Sequence, residues 1–316
     1  MKNIDISVIM GVYNEKIEWV EKAILSIINQ TYTNFEFIVI LDNPQNEELK
    51  NLISEFSLKD KRIKLYVNEE NIGLINTLNK GLKLAKGKYI ARMDADDISC
   101  GDRFEKQINF LEQNNNIVLV GGLNEYIDEE ENIIPLTDNR FRENEKIKEF
   151  AKYSNAFSHP TFMFKRDVII KVGGYRNVLY AEDYDLILNL ISKGYEVANI
   201  NQVILKYRVR SNGISLSKKK YQISISQYIQ KQYKKSLKSG EYKIDYSYLN
   251  KIIEDEDKPF NSKLSKIHFD IISKKTKSIK KNIDIGFLVL VSNKYRVYYA
   301  NKIKLNKLKR RYKWDI

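Results

Sequence analysis

The stretch YIARMDADD, residues 89–97, runs from a mostly apolar segment into three closely spaced carboxylates. The segment Tyr89–Met93 has the length and composition of a short strand. Asp94, Asp96 and Asp97 follow at the point where that strand would end. Carboxylates this close repel one another, so they are costly unless a cation or hydrogen bonds compensate them. The stretch therefore predicts a strand that carries an acidic cluster at its carboxyl end.

The segments on both sides of this strand alternate between strand-like and helix-like patterns. Apolar runs predict further strands at Ile6–Met10, Phe35–Leu41 and Ile63–Val67. Apolar residues at helical spacing predict helices over 18–30, 47–56, 74–85 and 103–113. Strands separated by amphipathic helices imply parallel pairing, with helices on both faces of one sheet. Such sheets bind ligands beyond the carboxyl ends of their strands, which points to 11–15, 42–44, 68–73 and 94–97.

The acidic cluster leaves two interpretations open. Divalent cations such as Mg²⁺ and Mn²⁺ prefer oxygen ligands and often bind one or two carboxylates together with substrate phosphates. Alternatively, the carboxylates form a solvated loop before the helix that begins near Arg103. On these residues alone, metal binding and a solvated loop are equally good interpretations.

A second acidic group, AEDYDL at 181–186, precedes apolar residues at helical spacing. The helix dipole favours carboxylates in a first turn, so capping of a helix over 182–193 is the simpler interpretation. Taken together, the two acidic groups suggest another, in which one group holds a metal ion and the other supplies a base. The pattern loosens beyond about residue 120, where 158–165 and 197–209 are expected to be extended.

Six motifs in order along the chain resemble those of the inverting family 2 glycosyltransferases. These enzymes have the GT-A fold, a Rossmann-like α/β architecture with a mostly parallel sheet flanked by helices. The resemblance covers roughly Ile4 to Ser215. It rests on SVIMGVYNE at 7–15, SIINQTY at 26–32, NIGL at 71–74, ARMDADD at 91–97 with DR at 102–103, GGY at 173–175 with EDYDL at 182–186, and YR at 207–208.

The resemblance implies a metal-dependent enzyme that moves a sugar from a nucleotide diphosphate, UDP above all, to an acceptor hydroxyl with inversion. The acceptor would be lipid-linked or an oligosaccharide, in capsule, O-antigen or glycolipid biosynthesis. The resemblance places the nucleotide against Val12, Tyr13, Glu15, Asp42, Asn71, Asp94, Arg208 and Arg210. It assigns Mn²⁺ or Mg²⁺ to Asp96 and Asp94. It assigns the role of catalytic base to Asp183, with Glu182 supporting the acceptor site.

The chain departs from the family pattern at four positions. Leu41 stands where the family usually has the first Asp of a pair, Pro44 where it has Ser, and Gly101 where it has Pro. Arg210 stands where many members have His. A guanidinium can bind phosphate but cannot ligate a metal, because it is always charged and only donates.

His159 precedes a proline near the start of an extended segment. A lone histidine is more often structural than functional, and that is the favoured interpretation. Its position within the resemblance adds a second interpretation, contact with the acceptor.

The 316-residue chain has a formal net charge of +13, and this charge is unevenly distributed. Residues 216–316 contain 26 Lys and Arg against 9 Asp and Glu, a net charge of +17, and the remainder has a net charge of −4. The asymmetry predicts a GT-A catalytic domain over 1–215 and a basic, mainly α-helical module over 216–316. Helical patterns within the module fall at 221–237, 246–254 and 261–281.

Several partners would suit the basic module. Anionic lipid headgroups attract Lys and Arg, so one interpretation is docking on a membrane beside a lipid-linked acceptor. A solvated charged face and a contact between copies in a homo-oligomer are alternatives. Nucleic-acid binding is a further one, but the sequence has no zinc-finger or RRM signature and its first two-thirds is net acidic. We therefore expect an anionic membrane surface as partner and no nucleic acid.

Cysteine content and apolar segments bear on the compartment. The single Cys100 cannot form an internal disulfide, which favours a reducing compartment. No basic-then-apolar signal peptide opens the sequence, and the apolar stretch Ile285–Val291 is far shorter than the roughly 20 residues that span a bilayer. We expect a cytoplasmic protein, peripheral on the inner face of the cell membrane.

Two other function classes remain open at this point. A sugar-1-phosphate nucleotidyltransferase also uses an α/β sheet and a metal, but its Gly-rich phosphate loop and following Arg have no counterpart at 11–15. A non-enzymatic protein could bind nucleic acid or membrane through the basic module.

Overall fold

The computed structural model describes residues 4–136, 143–210, 218–272 and 278–312. The chain divides into two compact units. The first comprises Met1–Ile147, Ala156–Arg176 and Asn189–Arg210, and the second comprises Lys148–Asn155, Asn177–Leu188 and Ser211–Ile316. The predicted domain boundary at residue 215 lies outside the described residues.

The first unit is built on a mixed β-sheet with nine strands among the described residues. The strands are β1 (Ile6–Val12), β2 (Phe35–Leu41), β3 (Ile63–Val67), β4 (Tyr89–Asp94), β5 (Ile98–Ser99), β6 (Ile117–Ile127), β7 (Ile133–Ile134), β8 (Met163–Lys165) and β9 (Glu196–Arg208). Their order across the sheet is β3-β2-β1-β4-β8-β6-β9-β5, and β7 pairs with β6. β1 pairs in parallel with β2 and with β4, and β2 pairs in parallel with β3. β8 runs antiparallel to β4 and β6. The four strands predicted from apolar runs are confirmed.

Helices connect these strands. They are α1 (Ile17–Ile28), α2 (Glu47–Lys59), α3 (Leu74–Leu84), α4 (Arg103–Gln113), α5 (Asn144–Phe150), α6 (Arg166–Lys171) and α7 (Glu182–Ser192). The apolar faces of α1, α2 and α4 pack with β1, β2 and β4 in one buried cluster. The prediction of an α/β sheet flanked by helices is therefore confirmed.

The strand register decides where the site can form. Val12 pairs with Leu41, Leu41 pairs with Val67, and Gly11 pairs with Asp94. The carboxyl ends of β1, β2, β3 and β4 therefore meet at one edge of the sheet. All four segments predicted to bind a ligand follow these strand ends at that edge.

One expectation for the middle of the chain is wrong, one is confirmed by β9 and one strand was not predicted. The segment 158–165 is not extended throughout, because a 3₁₀ helix at His159–Thr161 precedes β8. Pro160 has no amide hydrogen, which suits a turn better than a strand ladder. Near residue 120, where the alternating sequence pattern loosens, the chain forms β6, a strand of 11 residues that contains two adjacent glycines. Glycine weakens a strand pattern because it brings no side chain.

The second unit is mainly helical, as predicted. Its helices within the described residues include α8 (Lys219–Ser239), α9 (Tyr246–Asp257), α10 (Pro259–Ile272), α11 (Ser278–Val291) and α12 (Asn293–Arg311). A buried apolar cluster joins four of them through Ile223, Leu264, Ile271, Leu288 and Tyr295.

One expected helix of the basic module, over 261–281, falls partly outside the described residues. Within this range, the described part of α10 ends at Ile272 and that of α11 begins at Ser278. Residues 273–277 lie outside the described residues. In the part of the chain that the structure describes, no helix is long and apolar enough to cross a membrane.

Candidate active site

Asp94, Asp96 and Asp97 lie together at the carboxyl end of β4 in the first unit. One oxygen of each carboxylate lies within 4.8 Å of the other two. The Asp97 amide donates to the Asp94 carbonyl at 3.5 Å, so the chain turns back as soon as the strand ends. Asp97 is buried and the other two are half-buried. The fold thus forms the acidic cluster that the sequence predicts.

Burial and mutual repulsion make these carboxylates difficult to ionise together. Burial, followed by the charge of Asp94, raises the pKa of Asp96 to about 7. Burial, followed by the charges of its two neighbours, raises the pKa of Asp97 well above its usual value. Two arginines offset part of the repulsion. Arg210 Nε lies 2.6 Å from Asp96 Oδ2, and Arg92 forms an ion pair with Asp94.

The donor atoms of this cluster fit a divalent cation. Asp97 Oδ1 accepts a hydrogen bond from the Arg208 amide at 2.8 Å, but its buried Oδ2 accepts none within the described parts of the chain. A buried carboxylate oxygen without a partner is costly, and a bound cation would relieve that cost together with the repulsion. An all-oxygen donor set at Asp94, Asp96 and Asp97 suits Mg²⁺ or Mn²⁺.

Arg208 and Arg210 lie at and just beyond the end of β9, beside this cluster. The Arg208 side chain is fully buried, and it donates from Nε to the Asp96 carbonyl at 2.8 Å and from Nη2 to Glu131 Oε1 at 3.0 Å. Trp19 on α1 packs against both guanidinium groups, at 5.1 Å and 5.7 Å from its ring centroid. Arg208 therefore stabilises the turn that carries Asp96 and Asp97. Arg210 is more exposed and can contact a ligand.

The turn after β1 holds the predicted nucleotide contacts Val12, Tyr13 and Glu15. Val12 is buried in the strand, whereas the Tyr13 side chain is 44% exposed. Glu15 Oε2 accepts a hydrogen bond from the Tyr13 amide at 2.7 Å, which closes the turn. The negative charge of Glu15 also contributes to the raised pKa of Asp96, so this turn lies beside the acidic cluster.

Asp42 is buried and supports the loop that carries Asn71. Asp42 Oδ1 accepts from the Asn68 side chain at 2.7 Å and from the Ile72 amide at 2.9 Å, and Oδ2 accepts from the Gly73 amide at 2.9 Å. Gly73 has a φ of +79°, which glycine adopts most readily. Asn71 is exposed and also accepts from the Gly73 amide, at 3.0 Å. The loop presents Asn71 to solvent, and a contact between Asp42 and a base stays a prediction.

His159 is buried in the first unit. Its Nε2 lies 2.9 Å from the Tyr175 hydroxyl, and its ring also packs against Tyr175 and Phe162. Burial, followed by the charge of Arg92, lowers the pKa of His159 well below its usual value, so the imidazole is neutral. These contacts favour the structural interpretation of His159, and its contact with an acceptor stays a prediction.

Asp183 and Glu182 begin α7 and belong to the second unit. Asp183 Oδ2 accepts a hydrogen bond from the Asn155 side chain at 2.8 Å, and Oδ1 accepts from the Tyr184 amide at 2.7 Å. The Tyr184 hydroxyl is buried and donates to the Ala151 carbonyl at 2.6 Å. The first turn of α7 is therefore held against the segment 148–155, and the Asp183 carboxylate has a defined orientation.

Two residues near the acidic cluster were not among the predicted site residues: Trp19 and Arg92. The sequence marks Trp19 only as part of an apolar helix face. Arg92 is buried in β4, and its Nε and Nη1 find no hydrogen-bond partner among the described residues. A charged residue inside a predicted buried strand is rare unless it is paired, and this is the signal that could have identified it.

Comparison with known proteins places these features in a family. Residues 7–173 match the family model described as Glycosyl transferase family 2. An uncharacterized glycosyltransferase of Methanocaldococcus jannaschii, MJ1057, is 37% identical over 237 residues, covering 74% of this chain and 80% of that protein. The amylovoran biosynthesis glycosyltransferase AmsE of Erwinia amylovora is 35% identical over 214 residues, covering 66% of this chain and 78% of that protein.

A further relative is named for both its donor and its acceptor. The UDP-Gal:alpha-D-GlcNAc-diphosphoundecaprenol beta-1,3-galactosyltransferase of Escherichia coli is 31% identical over 209 residues. The match covers 64% of this chain and 73% of that protein.

A solved structure supports the fold. The chain is similar to the crystal structure of S. aureus TarS, with a TM-score of 0.56 and 15% sequence identity. The match covers 95% of this chain and 54% of that one, so this chain spans about half of its length. At this identity the similarity bears on the fold alone, and it confirms the GT-A type architecture with a helical C-terminal region.

Proposed function

The chain belongs to glycosyl transferase family 2 and is a glycosyltransferase, and we propose that it transfers a sugar from a UDP-sugar to the hydroxyl of a lipid-linked or oligosaccharide acceptor. In this proposal the reaction inverts the anomeric centre, requires Mg²⁺ or Mn²⁺ and serves the assembly of a surface polysaccharide or glycolipid. The sugar is a hexose or an N-acetylhexosamine. Because the chain belongs to this family, the nucleotidyltransferase and the non-enzymatic alternatives are set aside.

The observation that carries the proposal is the acidic cluster at the end of β4, with Arg210 beside it. A nucleotide diphosphate leaves as an anion, so its departure is favoured by positive charge placed where negative charge develops. A divalent cation held by Asp94 and Asp96 would supply this charge as a Lewis acid. Arg210 adds charge-assisted hydrogen-bond donors next to the same carboxylates.

The turn after β1 and the loop after β3 offer contacts for a nucleotide base at this edge. Tyr13 offers an exposed aromatic ring on which a base can stack, and Asn71 offers an exposed amide for the polar edge of the base. Asp42 holds the Asn71 loop through the Ile72 and Gly73 amides. The name of the Escherichia coli relative includes UDP-Gal, and this similarity supports UDP as the nucleotide in our proposal.

Asp183 is the proposed base. A positioned carboxylate can take the proton of an acceptor hydroxyl as the hydroxyl oxygen attacks the anomeric carbon and the sugar–phosphate bond breaks. The hydrogen bond from Asn155 orients this carboxylate. One base without a sugar–enzyme intermediate gives inversion. Glu182 precedes it in the same turn and is proposed to support the acceptor.

We propose that residues 1–215 act as the catalytic domain and 216–316 as an accessory basic module. The catalytic domain in this sense includes the segments 148–155 and 177–188, which carry Asn155 and Asp183. Both segments belong to the second compact unit.

Calorimetric titration of UDP, GDP and CDP, each with Mn²⁺ and with EDTA, tests the donor and the metal together. We expect UDP to bind only with the metal, and we expect Asp96→Ala to lose this binding. Glu105→Gln changes an exposed carboxylate on α4 and should bind UDP like the wild type. Preferential binding of GDP or CDP would replace UDP as the donor nucleotide. Equal affinity for UDP in Mn²⁺ and in EDTA would contradict the metal assignment.

Asp183→Asn tests the base. The amide keeps the shape of the side chain but cannot accept a proton, so UDP should bind normally while transfer falls by about 10²–10⁴-fold. UDP release with a lipid-linked glycan acceptor measures transfer, and Asp167→Asn on α6, an exposed position, is the control. Transfer at the wild-type rate would remove Asp183 as the base, and release of pyrophosphate would contradict the reaction type.

A further inference from the structure

The helix α11 of the second unit has two apolar faces. Its inner face packs into the apolar cluster of this unit, where Leu288 is fully buried and Ile285 is partly buried. Its outer face has four exposed apolar side chains: Ile283 (66% exposed), Phe287 (45%), Leu290 (78%) and Val291 (41%). Residues three or four positions apart lie on one side of a helix, so these four form a continuous stripe. We refer to them as the α11 stripe.

A stripe of this kind is unusual on an isolated protein surface. A helix that is apolar all round is normally buried on all sides, because water is excluded from every face. Contiguous exposed apolar residues with polar surroundings mark sites where another surface docks. The sequence of α11 contains one acidic residue, Asp284, against two lysines.

Cations lie at both ends of the α11 stripe. Lys280 and Lys281 are exposed near the start of the helix. At its other end, the exposed Arg296 donates from Nε to the Val289 carbonyl and from Nη2 to the Leu290 carbonyl, each at 3.3 Å. The Arg296 guanidinium is thereby held beside the last turn of the stripe.

The next helix also carries exposed cations. α12 carries five further exposed cations: Lys302, Lys304, Lys307, Arg310 and Arg311. The region 216–316 has a net charge of +17, as the sequence shows. A partner that offers apolar groups to the stripe and negative charge to Lys280, Lys281 and Arg296 fits these features best.

We propose that the α11 stripe docks on the surface of a membrane that contains anionic phospholipid. A bilayer interface offers acyl chains to the four apolar side chains and phosphate groups to Lys280, Lys281 and Arg296. With 14 residues at 1.5 Å each, α11 is about 21 Å long, which is shorter than the hydrocarbon core of a bilayer. The helix therefore lies in the interface rather than across it.

Two other partners fit these observations less well. A second copy of the chain would bring two strongly basic surfaces together, and like charges at an interface are unfavourable. Four side chains are also few compared with the roughly 20–30 residues per side of a stable protein interface. Single-stranded nucleic acid is bound through aromatic rings that stack on bases, and three of the four stripe residues are aliphatic.

The inference rests on α11 and its cations, and it is independent of the proposed donor, metal and base. If both hold, the docked enzyme works at the surface where lipid-linked acceptors lie. Failure of one leaves the other intact, because membrane binding and UDP binding are measured separately on the same variants.

Co-sedimentation of the full chain with vesicles tests the proposal. The vesicles contain phosphatidylcholine alone, or phosphatidylcholine with phosphatidylglycerol. We expect binding to the anionic vesicles, weaker binding as salt is added and little binding to the neutral ones. The double variant Phe287→Ser with Leu290→Ser should bind the anionic vesicles at least roughly tenfold more weakly, because two inserted apolar side chains are lost.

Control variants distinguish membrane binding through the α11 stripe from nonspecific binding through other exposed apolar residues. Leu58→Ser and Leu237→Ser change exposed leucines on α2 and α8, and both should bind vesicles like the wild type. Lys280→Glu with Lys281→Glu should weaken binding to anionic vesicles without changing the UDP affinity. Light scattering and sedimentation with DNA, done on the wild type and the double variant, test the two rival partners.

Three results would overturn the proposal. The first is no binding of the wild type to anionic vesicles, and the second is equal binding by the wild type and the double variant. The third is a dimer or a DNA complex that the double variant loses while vesicle binding stays unchanged. Absence of UDP binding in the wild type as well as in the variants would instead count against the proposed function.

Discussion

The Trp19 ring packs against two arginines that lie beside the acidic cluster. The side chain is buried in α1, and its ring centroid lies 5.1 Å from the Arg208 guanidinium and 5.7 Å from that of Arg210. Arg210 in turn pairs with Asp96 at 2.6 Å. The indole therefore orients the two arginines that lie beside the acidic cluster.

We expect Trp19→Leu to weaken binding of UDP with Mn²⁺ by roughly tenfold. Each cation–π contact contributes about 0.5–2 kcal/mol, and about 1.4 kcal/mol corresponds to a factor of ten. Trp19→Phe keeps an aromatic ring and should lose less affinity. Calorimetry measures the affinity, and thermal unfolding shows whether both variants are folded. Wild-type affinity in a folded Trp19→Leu would mean that Trp19 only fills the core.

Asp96 makes the metal-free protein sensitive to pH. Burial and the charge of Asp94 raise its pKa to about 7, so the folded state holds this proton more tightly than the unfolded chain does. The resulting stabilisation is complete below the unfolded pKa of about 4 and is lost as pH rises through about 7. The Tm of the metal-free wild type should therefore fall between about pH 5 and pH 8, and less so in Asp96→Asn.

The same series in Mn²⁺ provides the control. Metal binding requires the deprotonated carboxylates, so Mn²⁺ should stabilise the wild type more at the higher pH. Asp96→Asn should lose most of this effect. Identical pH profiles for the wild type and Asp96→Asn in EDTA would contradict the buried, repelling arrangement of the cluster.

At the scale of elements, β4 is fixed at its start by close contact with β1. The Gly87 amide donates to Ser7 Oγ at 2.8 Å, and a Cβ added at Gly87 would lie 2.5 Å from the Ser7 backbone nitrogen. Only a residue without a side chain permits this approach. The acidic cluster is at the other end of the same strand, so its position depends on this pairing.

Gly87→Ala should destabilise the protein by about 1–3 kcal/mol, because the added methyl group forces β1 and β4 apart at their amino ends. Urea unfolding measures the change. Gly101→Ala is the matched control: a Cβ there meets nothing within 4 Å, and its cost should be close to zero. Equal stability of the two variants would show that the β1–β4 contact is readily relaxed.

At the scale of the whole molecule, ligand binding should be visible in global stability. A ligand that binds only the folded state at about 100 times its Kd adds about 2.7 kcal/mol. UDP with Mn²⁺ should therefore raise the Tm by several degrees, while UDP in EDTA should not. CDP with Mn²⁺ is the control for the nucleotide. An equal shift with EDTA would indicate a nucleotide site that does not involve the acidic cluster.

The parallel half of the sheet could be predicted because its signals are local. Short apolar runs and helical spacing alternate over 6–113, and each predicted strand there lies within a residue or two of its observed ends. β6 was missed because Gly121 and Gly122 interrupt the apolar run from which a strand would be recognised.

The candidate site, too, has a part that the sequence predicts and a part that depends on the folded structure. The sequence by itself determined the acidic cluster at a strand end, since Asp94, Asp96 and Asp97 are neighbours in the chain and their repulsion follows from their spacing. Only the tertiary structure decided what surrounds them. Arg210 reaches Asp96, and Trp19 packs against Arg210, because β9 and α1 come together in the folded unit. Contacts between residues far apart in sequence depend on packing, and no local pattern records them.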